Sequence, residues 1–226
     1  MKVTKLFFIS AVCVLCTGLT WFYFFYIHPH IVEKKVLNQI ITRLESETRI
    51  AEVIVTDSDF DPETGKTETR IKFLEYDTRG TPLSTQYFTF SDNLLQFQSL
   101  VIRFADDFVR SGQGLKGKSA YLFWKVFMLD GARTEEYDIT SIDSIPEGYR
   151  LSAAPTRTEK VLWNMFWDYA LDQKKRNAAG IKNAQIEAPG TLFVPGKLYT
   201  LKIEHDGGIR IDVTDLPSIT SGEELP

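Results

Sequence analysis

The hydrophobic pattern opens with an uninterrupted apolar run. Residues 6–27, LFFISAVCVLCTGLTWFYFFYI, are 22 positions without a charge, and His28-Pro29-His30 ends them. At about 1.5 Å per residue a helix of this length crosses the roughly 30 Å hydrocarbon layer. Trp21 to Tyr26 are all aromatic, the composition of an interfacial belt, and no small-residue cleavage point follows the run. Residues 1–27 are therefore expected to be an uncleaved signal anchor. The few residues ahead of it, with Lys2 and Lys5, stay cytoplasmic, and the long C-terminal part lies outside the cell membrane, in the periplasm.

The rhythm then changes. Val32, Val36, Leu37, Ile40, Ile41 and Leu44 recur at helical spacing and predict an amphipathic helix over about 31–49, within a juxtamembrane segment 28–50. From residue 51 the period shortens to that of strands. AEVIVT (51–56) and TRIKFLEY (69–76) flank the polar stretch DSDFDPETGKTE as a hairpin. LSTQYFTF (83–90) and LLQFQSLVIRF (94–104) are further strands, each preceded by a turn. YLFWKVFML (121–129) is apolar on both faces, as a central strand covered on two sides would be, with a neighbour from 83–90 or 94–104. EEYDIT and GYRLSA read as weaker strands, and TLFVPGKLYTLKIE with IRIDV as a late hairpin closed at His205-Asp206-Gly207-Gly208.

One helix interrupts the strands. Thr156-x-x-Glu159 after Pro155 is a capping box, and Leu162, Trp163, Phe166, Trp167 and Ala170 follow on one face. Lys174, Lys175 and Arg176 complement the C-terminal dipole. The fold class predicted is α+β: a mostly antiparallel sheet or open barrel of roughly seven to nine strands over 51–215, with the Trp-rich helix packed on one face. Residues 216–226 form a polar tail.

Charge narrows the function. The chain of 226 residues carries a net charge of −4, and beyond residue 28 there are 24 basic against 30 acidic side chains. A mildly acidic domain lacks the basic face that nucleic-acid binding uses. Cys13 and Cys16 spell C-x-x-C inside the apolar run, where they act as small apolar side chains rather than a redox pair.

Two motifs invite chemistry. Gly112, Gly117, Lys118 and Ser119 satisfy the phosphate-loop formula G-x-x-x-x-G-K-[ST]. That chemistry needs a helix leaving the loop with its N-terminus on the anion, whereas the bulky AYLFWKVFML that follows reads as strand. No nucleotide is expected at Gly112–Ser119. The second motif, Asp57-x-Asp59-x-Asp61 with Glu68, places oxygen ligands at positions 1, 3, 5 and 12 of a calcium loop. Pro62 stands where that loop requires glycine, so Asp57, Asp59, Asp61 and Glu68 form a weak calcium candidate. His205, between Glu204 and Asp206, is the one histidine distant from the apolar run.

The leading expectation is a single-pass membrane protein that presents an extracytoplasmic domain to an unknown protein partner or to a second copy of itself, or that organises an envelope assembly. The alternative is a membrane-tethered hydrolase or ligand-binding enzyme built on scattered carboxylates and His205. The layout of apolar helix, proline break, amphipathic continuation and sheet is similar to that of type IV pilins and pseudopilins. Lys5-Leu6-Phe7 stands where that family processes after a glycine, and Ser10 or Ala11 where it uses a glutamate. Membership is therefore not claimed.

Overall fold

A computed structural model describes residues 15–28, 49–63, 65–77, 79–103, 119–130, 133–178, 184–187, 190–204 and 208–216. Among these residues ten strands follow in chain order: β1 (Arg49–Asp61), β2 (Lys66–Glu75), β3 (Gln86–Phe90), β4 (Leu94–Arg103), β5 (Ser119–Asp130), β6 (Arg133–Asp138), β7 (Ala184–Glu187), β8 (Gly190–Leu192), β9 (Lys197–Ile203) and β10 (Ile209–Asp215). The helices α1 (Arg157–Leu171) and α2 (Gln173–Ala178) lie between β6 and β7.

All pairings among these strands are antiparallel, and they build two sheets rather than one. The first runs β10-β9-β1-β2-β3, and the second runs β6-β5-β4-β7 with β8 beside β7 on β4. Alternation explains the layering. Val53, Val55, Ile71, Phe73, Phe88, Tyr199 and Leu201 turn one face of the first sheet inward against Leu95, Phe97, Val101, Phe123, Val126 and Met128 of the second. Phe73 sits at the centre, with its ring stacked on Phe97 at 5.9 Å and edge-on to Phe123 at 5.6 Å. Each such ring removed from water contributes roughly 1.5–3 kcal/mol.

The second sheet is buried on both faces. Leu100, Ala120 and Leu122 point away from the first sheet and pack under Leu162, Trp163, Phe166, Trp167 and Ala170 of α1. The order is therefore sheet, sheet, helix, and the double-sided apolar pattern of β5 is its sequence trace. A bulge at Trp124 adjusts the parity, because Gln98 pairs with Lys125 while Ser99 pairs with Phe123. The freed Trp124 carbonyl accepts from both Ile139 N (2.8 Å) and Thr140 N (3.1 Å). Beyond the end of β6, side chains take over the exposed edge of β5. Tyr149 Oη bonds both the amide and the carbonyl of Tyr121, and Thr140 Oγ1 donates to Phe123 O.

Helix α1 starts as its capping box predicts, with Thr156 Oγ1 accepting from Glu159 N and Glu159 accepting from Thr156 N. It ends sooner than the periodicity suggests. Asp172 adopts extended dihedrals, and its Oδ1 accepts from Lys174 N and Lys175 N to open α2. The basic residues thus begin a second helix, while Arg176 Nη1 reaches back to the Tyr169 and Ala170 carbonyls at the end of α1.

Three other expectations change. One sheet or open barrel becomes two packed sheets, since β4 and β5 bury side chains on both faces, Leu95, Phe97, Phe123 and Val126 on one and Leu100, Ala120 and Leu122 on the other, and need a layer on each side. The polar stretch 57–68 is mostly paired strand, with Asp57 to Asp61 in β1 and Lys66 to Glu68 in β2. GYRLSA forms a 3-10 turn (Glu147–Tyr149) and irregular chain, because the Tyr149 hydroxyl is committed to β5. At the N-terminus, residues 15–22 are α-helical and Tyr23–Ile27 are π-helical. Among the described residues no helix is long and apolar enough to cross a membrane. The first part of the predicted anchor, residues 31–48 of the amphipathic helix predicted over about 31–49, the loop Gly112 to Lys118, His205 and the tail from 217 lie outside the described residues, while Arg49 opens β1.

Candidate functional site

An open groove of about 650 Å³ lies where the turn after β6 meets the α1–α2 junction. Trp167, almost fully buried, forms its floor, and the indole Nε1 donates to Ser144 O at 2.8 Å, pinning the turn to the helix. Asp143 holds a positive φ of 61° in that turn, a conformation that short polar side chains tolerate. Ile142 and Leu171 are exposed apolar side chains on the rim.

Two acidic groups of the groove are already engaged. Asp168 pairs with Lys175 Nζ at 2.6 Å, and this hydrogen bond raises the Lys175 ammonium above its ordinary pKa. Asp172 is spent on capping α2. The arrangement offers an amphipathic surface with one apolar floor.

The four acidic residues of the calcium candidate occupy two adjacent strands. A bulge between Val55 and Asp57 inserts Thr56, whose hydroxyl donates to Arg70 O at 3.2 Å. Ala51, Val53 and Val55 face the core, and the extra residue reverses parity so that Asp57, Asp59 and Asp61 share the outward face. Their cross-strand partners there are Arg70, Glu68 and Lys66. The register thus sets two acids opposite basic side chains and Asp59 opposite Glu68. Asp61 Oδ1 also accepts from Glu63 N at 2.9 Å, an Asx turn that closes the hairpin. Among the described residues no group of three His, Cys, Asp or Glu side chains is placed to hold a metal ion. Ser119, the last residue of the glycine motif, opens β5, so a strand and not a helix leaves that loop.

Sheet edges and faces supply the remaining surface. The β3 edge is shielded from the second sheet: Tyr137 Oη donates to Thr89 O, Glu135 accepts from Ser91, and Gln86 Nε2 donates to Ile139 O. The β6 edge carries Glu135, Glu136 and Asp138. On β10, Gly208 O accepts from Glu204 N and Leu216 N donates to Gly196 O, so the even-numbered residues bond to β9. The backbone groups of Ile209, Ile211, Val213 and Asp215 point the other way, where β10 has no neighbouring strand among the described residues. The outer face of the first sheet likewise has no covering layer among the described residues. Tyr87 is exposed there with Arg70 over its ring at 5.4 Å, and Ile54, Leu74, Leu198, Lys72 and Lys202 are half-buried. Neither feature leaves a motif in the sequence.

Compared with protein-family models, curated proteins and solved structures, the chain matches none.

Proposed function

We propose that this chain is a single-pass membrane protein presenting an extracytoplasmic α+β domain that binds a protein partner or organises an envelope assembly. The observation that supports the reading is that, among the described residues, the sandwich is covered on one side only. The helix α1 follows β6 and packs on the second sheet, and the first sheet turns Ile54, Leu74, Leu198 and Tyr87 outward between Arg70, Lys72 and Lys202. A face of half-buried aliphatic side chains with an aromatic residue and interspersed charges matches the make-up of protein interfaces. The apolar run at residues 6–27 supplies the tether.

The test places a photo-crosslinking amino acid at Tyr87, and as a control at Val161 on the exposed side of α1, in the full chain in its native cells. The expected result is an adduct of one discrete mass from position 87 and none from 161, in a membrane fraction that resists alkaline extraction. Protease added to intact cells with a permeabilised outer layer should digest the domain. A chain released by alkaline extraction, or equal cross-linking from both positions, would refute the proposal.

A further inference from the structure

We propose that β10 is a self-pairing edge, which joins antiparallel to β10 of a second copy about a two-fold axis through Ile211. The inference rests on reading the domain as a partner-binding module and names a second copy as the partner. Three observations carry it. First, the outward backbone groups belong to the odd residues Ile209, Ile211, Val213 and Asp215, so a new strand must hydrogen-bond odd to odd. Second, the seven residues of β10 contain neither proline nor a bulge in their pairing with β9, leaving the edge without those common guards. Third, the charges select one register.

In the register centred on Ile211, Ile209 stands opposite Val213, and Arg210 stands opposite Asp212 twice, once on each side of the axis. The two adjacent registers that the odd-to-odd rule allows set Arg210 against Arg210 or Asp212 against Asp212. Opposite charges across a pair stabilise and like charges destabilise, so the complementary register is preferred over both neighbours. Directly opposite side chains share a face, which places Ile209, Ile211 and Val213 of both copies on the inner face. Val213 is 50% exposed in the single chain, and this pairing covers it. Arg210 and Asp212 lie on the outer face. Within one copy they already contact each other at 3.2 Å, Arg210 reaches Glu204 at 3.1 Å, and Lys202 reaches Asp212 at 3.4 Å. These exposed intrachain pairs contribute little by themselves. The β6 edge, with Glu135, Glu136 and Asp138 in six residues, has no comparable complementary pattern.

The test uses two charge reversals in the full chain in detergent micelles, Arg210→Asp and Asp212→Arg, with mass followed by light scattering over a dilution series. Wild type is expected to dimerise. Each variant alone sets like charges opposite each other at both positions and is expected to dimerise at least roughly tenfold more weakly. An equimolar mixture is expected to recover wild-type dimerisation, because residue 210 of one variant then faces residue 212 of the other with opposite charge. Lost intrachain pairs are not restored by mixing, so recovery separates the two roles. Ile211→Pro is the second variant. Its amide points outward, so it leaves the ladder to β9 intact while removing the central donor, and it is expected to abolish dimerisation with unchanged circular dichroism.

Monomeric wild type at all concentrations overturns the proposal. So does a mixture no stronger than its components, or a dimer indifferent to Ile211→Pro. A dimer indifferent to all three variants uses another surface, which overturns the pairing through β10 and leaves the partner-binding reading standing.

Discussion

Glu159 tests how far one local motif stabilises the domain. Its side chain is fully buried and accepts hydrogen bonds from Leu151 N at 3.0 Å, Thr156 N at 2.8 Å and Thr156 Oγ1 at 3.0 Å. It therefore ties three things together: the cap of α1, the irregular chain after the 3-10 turn, and the apolar cluster beneath Trp163. Glu159→Ala removes the acceptor for two backbone amides. A lost cap costs about 0.5–2 kcal/mol. A buried donor left without a partner costs about 1–3 kcal/mol. Water entering from the exposed Ser152–Ala154 side moderates the second figure, so the expected loss is about 3 kcal/mol.

Glu159→Gln separates the contributions. The amide oxygen can keep Leu151 N, but the amide nitrogen then faces Thr156 N, donor against donor, and one of the two backbone bonds is lost. Its expected cost is about 1.5 kcal/mol, half that of alanine. The assay is urea unfolding of the full chain in detergent, read by tryptophan fluorescence, since Trp163 and Trp167 report on α1. At roughly 2–4 °C per kcal/mol for a domain of this size, Glu159→Ala lowers Tm by about 6–12 °C. A loss below about 1 kcal/mol for alanine, or glutamine costing as much as alanine, would refute the hydrogen-bond accounting.

Three further outcomes follow from the packing and the electrostatics. Phe73→Ala, at the centre of the inter-sheet core, should cost about 3–5 kcal/mol in urea unfolding, and a loss under 1.5 kcal/mol would mean that the sheets do not meet there. The Tyr76 phenol donates to Glu52 at 2.7 Å, and that hydrogen bond, burial and the Glu52 charge push its pKa up to about 12. Because the folded value lies above the unfolded value of 10, the contribution is complete below pH 10 and is lost as pH rises through 12. Wild type should therefore lose stability relative to Tyr76→Phe across that window, and parallel profiles would rule out the bond. Asp59→Lys converts the like-charge pair with Glu68 into an opposite one and should raise stability by about 0.5 kcal/mol in calcium-free buffer. A calcium-dependent rise in Tm that Asp59→Ala abolishes would instead establish the acidic segment as a cation site.

What the sequence determined by itself was whatever depends on near neighbours. The capping box from Thr156 to Glu159 spans four residues of chain, and the structure repeats it in both reciprocal hydrogen bonds. The hairpins β1–β2 and β9–β10 follow from alternation and a turn, and the two-faced apolar pattern of 121–129 announced an inner strand with layers on both sides. Alternation states that a face is buried but not what buries it, so the division into two sheets remained open. Parity also depends on more than spacing. The bulges at Thr56 and Trp124 add one residue each, and neither residue type announces one. Without the first bulge, a strict period of two turns Asp57 inward. With it, the acids of a calcium-like motif face Arg70, Glu68 and Lys66 across a strand pair.

The break of the helix at Asp172 was likewise hidden, because the basic residues beyond it suit the end of one helix as well as the start of another. Only the tertiary structure showed which backbone groups of β10 point away from β9, since that follows from its pairing with Glu204 and Gly196. The outward groups decide which residues a new strand can meet, and hence which charges would stand opposite each other.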